Sequence, residues 1–160
     1  MATVRWQAAL DELEERGFDP RGEDRDRLHE ASIETVLDAA PPSVRELTQA
    51  DVVRSRVFDG LQDRFEEYDL IASATLATTS FPHGEPPETI DGIDVGPRRG
   101  WVLTQPYNLT GHPAASVPAG FVDGLPVGMQ LAGERFGDAD VLAASAALER
   151  RQPWRDRYPA

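Results

Sequence analysis

Ala115-Ser116-Val117-Pro118-Ala119-Gly120-Phe121-Val122-Asp123-Gly124-Leu125-Pro126-Val127-Gly128-Met129-Gln130-Leu131 is the stretch that decides the fold class. Ala115, Val117 and Ala119 alternate with Ser116 and Pro118, the period-two pattern of a strand with one covered face. Val127, Met129 and Leu131 repeat that pattern on the far side of Asp123-Gly124. An Asp-Gly pair between two alternating runs is a hairpin turn, because both of its residues tolerate the positive φ that such a turn needs. The spacing therefore predicts an antiparallel hairpin over 115–131.

Working downstream, Asp138 is expected to cap a helix whose inner face is Val141, Leu142, Ser145 and Leu148. Upstream, Asn108 is expected in the loop before the hairpin, bonding its own backbone. A long Pro/Gly loop is predicted over 76–100, with Pro82, Pro86, Pro87 and Pro97 from Phe81 onward. Loops of this length in compact domains are functional or disordered. Leu70, Ile71 and Ala72 form the short apolar run of a buried strand within 68–75.

Residues 1–67 read as mainly helical. Trp6, Leu10 and Leu13 fall at i, i+4 and i+7, and Gly17 supplies a left-handed stop. Asp19-Pro20-Arg21-Gly22 is a turn. A second helix is predicted over 24–39, with Leu28, Ala31, Val36 and Leu37 inward and Pro41-Pro42 ending it. Ser43 and Glu46 have capping-box spacing for a third helix, and Thr48 with Asp51 offers a later start. Val53, Val57, Leu61 and Phe65 recur every fourth residue in it, with Ala50 and Phe58 beside them. The fold class expected is α/β: helices first, then a few strands with the hairpin, then a covering helix, in a single domain of 160 residues.

Composition narrows the function. Hydrophobic residues make up 40%, enough for a core, and there is no cysteine for a disulfide, a thiolate metal site or a nucleophile. Asp and Glu number 28 against 16 cations, a net charge of -12, so the chain repels phosphate backbones and nucleic acid is not expected as a partner. Every one of the 16 cations is Arg. Acid surplus without lysine suits a halophile-like protein, and GC-rich codon usage accounts for it equally. With no apolar leader and no long apolar run, the reading is a cytoplasmic protein with no membrane contact.

The histidines do not assemble a site in sequence. His29 lies in a predicted helix, His83 sits in the loop beside Glu85, and His112 lies between Gly111 and Pro113. Each is read as structural, and no metal site is expected. Ser116 reads as a strand residue with a satisfied hydroxyl, outside any nucleophile elbow. Asn108-Leu109-Thr110 matches a glycosylation acceptor by coincidence.

Asn108-Leu109-Thr110-Gly111-His112-Pro113-Ala114-Ala115-Ser116-Val117-Pro118-Ala119-Gly120, continuing through Gly124-Leu125-Pro126-Val127-Gly128-Met129-Gln130-Leu131, resembles the C-terminal block of amidase-signature enzymes. Tyr68-Asp69-Leu70-Ile71-Ala72-Ser73-Ala74-Thr75 is similar to an upstream strand of that family, with Ala74 in place of a proline. The resemblance implies amide C–N hydrolysis by a serine nucleophile, a bridging serine and a lysine base, without a cofactor. All three belong N-terminal to the matched block. No adjacent serine pair and no lysine occurs in this sequence, so no catalytic residue is assigned. Arginine cannot stand in for the base, because its guanidinium stays protonated.

By position in the resemblance, Trp101, Thr104 and Asn108 are the candidate substrate-binding residues, and Trp101 reads equally well as a core aromatic. Glutamine-using amidotransferase subunits of the family carry an Asp near Trp101, which tilts the reading toward a general amidase. The expectation is the C-terminal piece of a split or truncated amidase, inactive alone, with an N-terminal amidase fragment or a second copy as partner. A small amide would be substrate only in the complete enzyme. A noncatalytic interaction module, or a fragment of a tRNA-dependent amidotransferase A-type subunit, is the alternative.

Such a piece exposes sheet edge and apolar surface. In dilute buffer the isolated chain should self-associate or pack loosely, and high salt should tighten it by screening the net charge of -12. Light scattering with a thermal melt checks this, and a monodisperse monomer with a sharp low-salt melt would contradict it.

Overall fold

The structure, a computed structural model, describes residues 2–28, 37, 41–96 and 100–154. The chain divides into two compact units, residues 1–55 and 56–160. Most of the predicted second helix, with His29, Ala31 and Val36, lies outside the described residues. Its start is a single 3-10 turn at Arg25–Arg27.

In the first unit, α1 spans Ala2–Glu15 and stops where expected, with Gly17 at φ 84°. Leu10 is buried on it. The turn that follows is closed by Asp19, whose Oδ1 accepts the Gly22 amide at 2.8 Å. α2 spans Val44–Phe65 and belongs to both units. Its capping box forms as the spacing predicts: Ser43 N donates to Glu46 Oε2 at 2.8 Å, and Glu46 N donates to Ser43 Oγ at 3.3 Å. The later start is not used, because Thr48 Oγ1 donates back to Val44 O at 2.9 Å inside the helix. Val53 is exposed, whereas Val57, Phe58, Leu61 and Phe65 are half-buried.

The second unit is built on the hairpin. Ala114–Val122 and Leu125–Gly133 pair antiparallel, and Leu70–Ala74 pairs antiparallel with the other edge of Leu125–Gly133. We label these strands β4, β5 and β1; the sheet order is β1-β5-β4. Asp123 and Gly124 have φ of 51° and 79°, both positive as this turn class requires. The alternation breaks at Ala119. The register jumps from Pro118↔Gly128 to Gly120↔Val127, so Ala119 is an extra, exposed residue in a bulge, and Gly120 takes φ 122°.

Two expectations are corrected on either side of the hairpin. The loop over 76–100 holds a two-stranded ribbon, β2 (Thr89–Ile90) and β3 (Ile93–Asp94), turning at Asp91-Gly92 with φ of 49° and 75°. Strands of two residues are too short to show alternation, although the Asp-Gly signal was there. Asn108 lies in a helix, not a loop: α3 spans Gln105–Thr110, with Pro106 in its first turn and Gly111 left-handed at its end. Pro at the start and Gly just past the end are the punctuation of a short helix.

α4 spans Asp138–Arg151 and packs on β4 and β5. Gly137, not Asp138, occupies the cap position; Asp138 and Asp140 act in the first turn, where the helix dipole favours negative charge. Val141 is buried against the sheet, but Leu142 is 65% exposed, since one residue turns the helix by about 100°. Gly133 permits the approach of α4: a Cβ there would lie 2.8 Å from Val141 Cγ2.

Residues paired in register share a face, so Ser73, Gln130 and Ser116 point away from α4. Thr75 Oγ1 and Ser116 Oγ are hydrogen-bonded at 2.6 Å above Gly128. A Cβ on Gly128 would lie 2.8 Å from the Ser116 hydroxyl and 2.9 Å from that of Thr75. Either hydroxyl can move aside only by giving up the other. Gly128→Val should therefore cost about 1–3 kcal/mol and lower the melting midpoint measured by circular dichroism at high salt. An unchanged midpoint would show that the strands do not pack this closely.

Candidate substrate wall

Thr104 and Asn108 line one cavity of about 260 Å³, together with Tyr107, His112, Ser116 and Gln130. Both reach it from α3: Thr104 stands at the cap position, and Asn108 follows one turn later on the same side. The wall thus depends on how α3 is held against the sheet.

Gln130 holds one end. It is 2% exposed, and its Nε2 donates to Ser73 Oγ on β1 at 3.0 Å and to Leu103 O at 3.0 Å, with Ala74 O at 3.3 Å. Leu103 immediately precedes Thr104, so one buried amide ties β5, β1 and the entry to α3. Tyr107 is also buried, with the Ser73 hydroxyl near its phenol. Burial pushes its phenol above the ordinary value, and the Ser73 hydroxyl offsets part of that rise. The chain segment before α3 runs beside the exit of β1: Ala77 N donates to Trp101 O at 2.9 Å and Leu103 N to Thr75 O at 3.3 Å. Ala74 is the last residue of β1 paired in register with β5, and the chain bends directly after it.

His112 holds the other end. It is 5% exposed, with its ring 5.2 Å from Phe65 in a stack and 5.5 Å from Phe58. Its Nδ1 lies 2.7 Å from Thr110 Oγ1 and its Nε2 2.9 Å from the Gln62 side chain. The Nε2 partner is Gln62 Oε1, which can only accept, so a neutral ring carries its proton on Nε2, and the Thr110 hydroxyl lies between Nδ1 and Pro106 O, 2.8 Å away. His112 is a buried tie between α2 and α3, which its place between Gly111 and Pro113 does not reveal.

Trp101 does not join Thr104 and Asn108 at the cavity. Its ring meets Phe81 edge-on at 5.1 Å and 78°, and its buried indole N–H has no acceptor among the described residues. His83 and Glu85 are both exposed in their loop. Ser116 has its hydroxyl satisfied by Thr75. Among the described residues no group of three His, Asp or Glu comes together to hold a metal, and no helix is long and apolar enough to cross a membrane. Sequence patterns alone point to no role for Tyr107, Ser73 or the amide of Gln130. The available signal was an isolated glutamine amid the small and apolar residues of β5.

Burial is the main cause holding the His112 imidazole below its ordinary pKa; the nearby Arg135 adds to this and Glu134 opposes it. The unfolded chain therefore binds this proton first as pH falls through about 6.5. The stability it contributes is complete above that value and is lost as pH falls toward the depressed folded value. The melting midpoint should drop between neutral pH and the onset of carboxylate titration, and His112→Leu should flatten that drop. The substitution should itself cost about 1–3 kcal/mol at neutral pH, because Thr110 and Gln62 lose their partner. An equal pH slope in both proteins would contradict the assignment.

The sequence profile of the Amidase family matches residues 7–142. An acylamidase of Rhodococcus erythropolis is 36% identical over 136 residues, covering 83% of this chain and 27% of the relative. The A-type subunit of the glutamyl-tRNA(Gln) amidotransferase of Lacticaseibacillus casei is 40% identical over 114 residues, covering 69% of this chain and 22% of the relative. The crystal structure of a bacterial aryl acylamidase of the amidase-signature family superposes with a TM-score of 0.81 at 38% identity, over 96% of this chain and 32% of that one. This chain thus spans only about a quarter to a third of the length of the proteins it matches. With most of its length matched by the profile, and strand and helix order shared with solved members, the chain belongs to the amidase-signature family.

Proposed function

We propose that these residues form the C-terminal scaffold and one substrate-binding wall of an amide hydrolase, and that the nucleophile and base come from residues outside this sequence. The observation that carries the reading is the convergence of Thr104 and Asn108 on one small polar cavity beneath α3. A hydroxyl and a carboxamide together offer both donors and acceptors, the complement of an amide group. The lysine that the family uses as base has no counterpart among the 160 residues, and no arginine can replace it.

Trp101 favours a general amidase over a glutamine-using amidotransferase subunit. An apolar ring at that position offers nothing to the charged amino group of glutamine, whereas it suits an acyl or aryl substituent. The acylamidase of R. erythropolis is consistent with that choice. The partner in this reading is the N-terminal portion of an amidase-signature fold, whether on the same or a separate polypeptide, and no cofactor or metal is required. We place the protein in the cytoplasm.

The purified chain should not hydrolyse simple aliphatic or aromatic amides above background. Mixed or co-expressed with the N-terminal portion of the R. erythropolis acylamidase, it should restore turnover that neither part has alone. In the mixture, Asn108→Ala and Thr104→Val should each raise KM by about tenfold, equivalent to about 1.4 kcal/mol, and change kcat less. Turnover by this chain alone that survives rigorous purification would overturn the proposal.

A further inference from the structure

β1 leaves the sheet early. Its last register pair is Ala74↔Met129, followed by a bond from Thr75 N to Gly128 O at 3.0 Å. Beyond that point the hairpin continues for several residues with β4 as the sole partner of β5 among the described residues. A two-stranded ribbon is marginal in water by itself. A groove of about 670 Å³ opens at this departure, with Ala74, Leu76, Val122, Pro126, Val127 and Met129 among its walls. Thr75 and Ser116 on its wall bond one another, and Ser73, Thr78, Thr79 and Ser80 also line it. Beside these hydroxyls the groove offers apolar surface and an open strand edge.

Large apolar residues crowd the rim. Phe121 and Val122 at the ribbon end are about half exposed, and Leu76 and Leu125 are exposed beside them. The matched aryl acylamidase has about two thirds of its chain outside the region this chain superposes on. A surface of this kind in a chain of that relative length calls for one occupant.

The geometry points to this groove as the seat of an apolar segment from the N-terminal portion of an amidase-signature fold. The assignment rests on the reading given under Proposed function and adds the surface at which the two portions meet. The exposed outer face of α4, marked by Leu142, is left free by it.

The chain has no cysteine, so single thiols can report on each surface without disturbing a native one. Val122→Cys and Leu142→Cys are prepared in the full chain, and their maleimide reaction rates are measured with and without the N-terminal portion of the R. erythropolis acylamidase. The thiol at position 122 should react at least about tenfold more slowly in the co-purified complex, while that at position 142 keeps its rate. A co-purified complex in which position 122 stays fully reactive would overturn the groove assignment and leave the functional reading standing. Protection of position 122 in the chain alone, growing with concentration, would overturn it in favour of a second copy as occupant. If the unlabelled wild-type chain forms no complex, the functional reading fails and the groove assignment with it.

Discussion

The side-chain amide of Gln130 is the constraint on which the second unit depends. A carboxamide buried to 2% exposure must have its hydrogens satisfied, and the partners it finds are on two other segments: the Ser73 hydroxyl and the Leu103 carbonyl. Backbone pairing alone fixes β1 beside β5, but says nothing about where the chain goes before α3. The amide does, because Leu103 must come within hydrogen-bond reach of it. Thr104 follows directly, and the rest of α3 is carried with it. Removing the amide would leave a half-buried carbonyl and a half-buried hydroxyl short of a donor.

His112 complements Gln130 from the opposite end of α3. One fixes where the helix starts and the other where it ends, through Thr110 and then Gln62 on α2. Both are polar ties inside apolar surroundings, and such ties are direction-specific in a way that hydrophobic contact is not. This explains why a six-residue helix, too short to be stable by itself, can present Thr104 and Asn108 toward one cavity.

Local rules made part of this legible in the sequence. Asp123-Gly124, the Ser43/Glu46 box and Gly17 all act through neighbouring residues, and each formed where its pattern stood. What was hidden depended on contacts far apart in the chain or on elements too short to have a period. The Ala119 bulge breaks an alternation that reads as continuous, and the Asp91-Gly92 ribbon has strands of two residues. Leu142 looks inward by type but is turned outward by the pitch of the helix. Thr104 and Asn108 stand out only through the family resemblance, and their shared cavity follows from the packing of α3. Gln130, 57 residues from Ser73, could be read as a tie only once β1 and β5 were known to be neighbours.

A double-mutant cycle between Gln130 and Ser73 tests this account most directly. Unfolding free energies at high salt would be measured for Gln130→Leu, Ser73→Ala and the pair. If the buried amide organises the unit, the two losses are strongly non-additive, with a coupling of about 1–2 kcal/mol. Additive losses, with a coupling near zero, would mean that the amide does not bind β1 to β5, and the placement of α3 and its wall would need another cause.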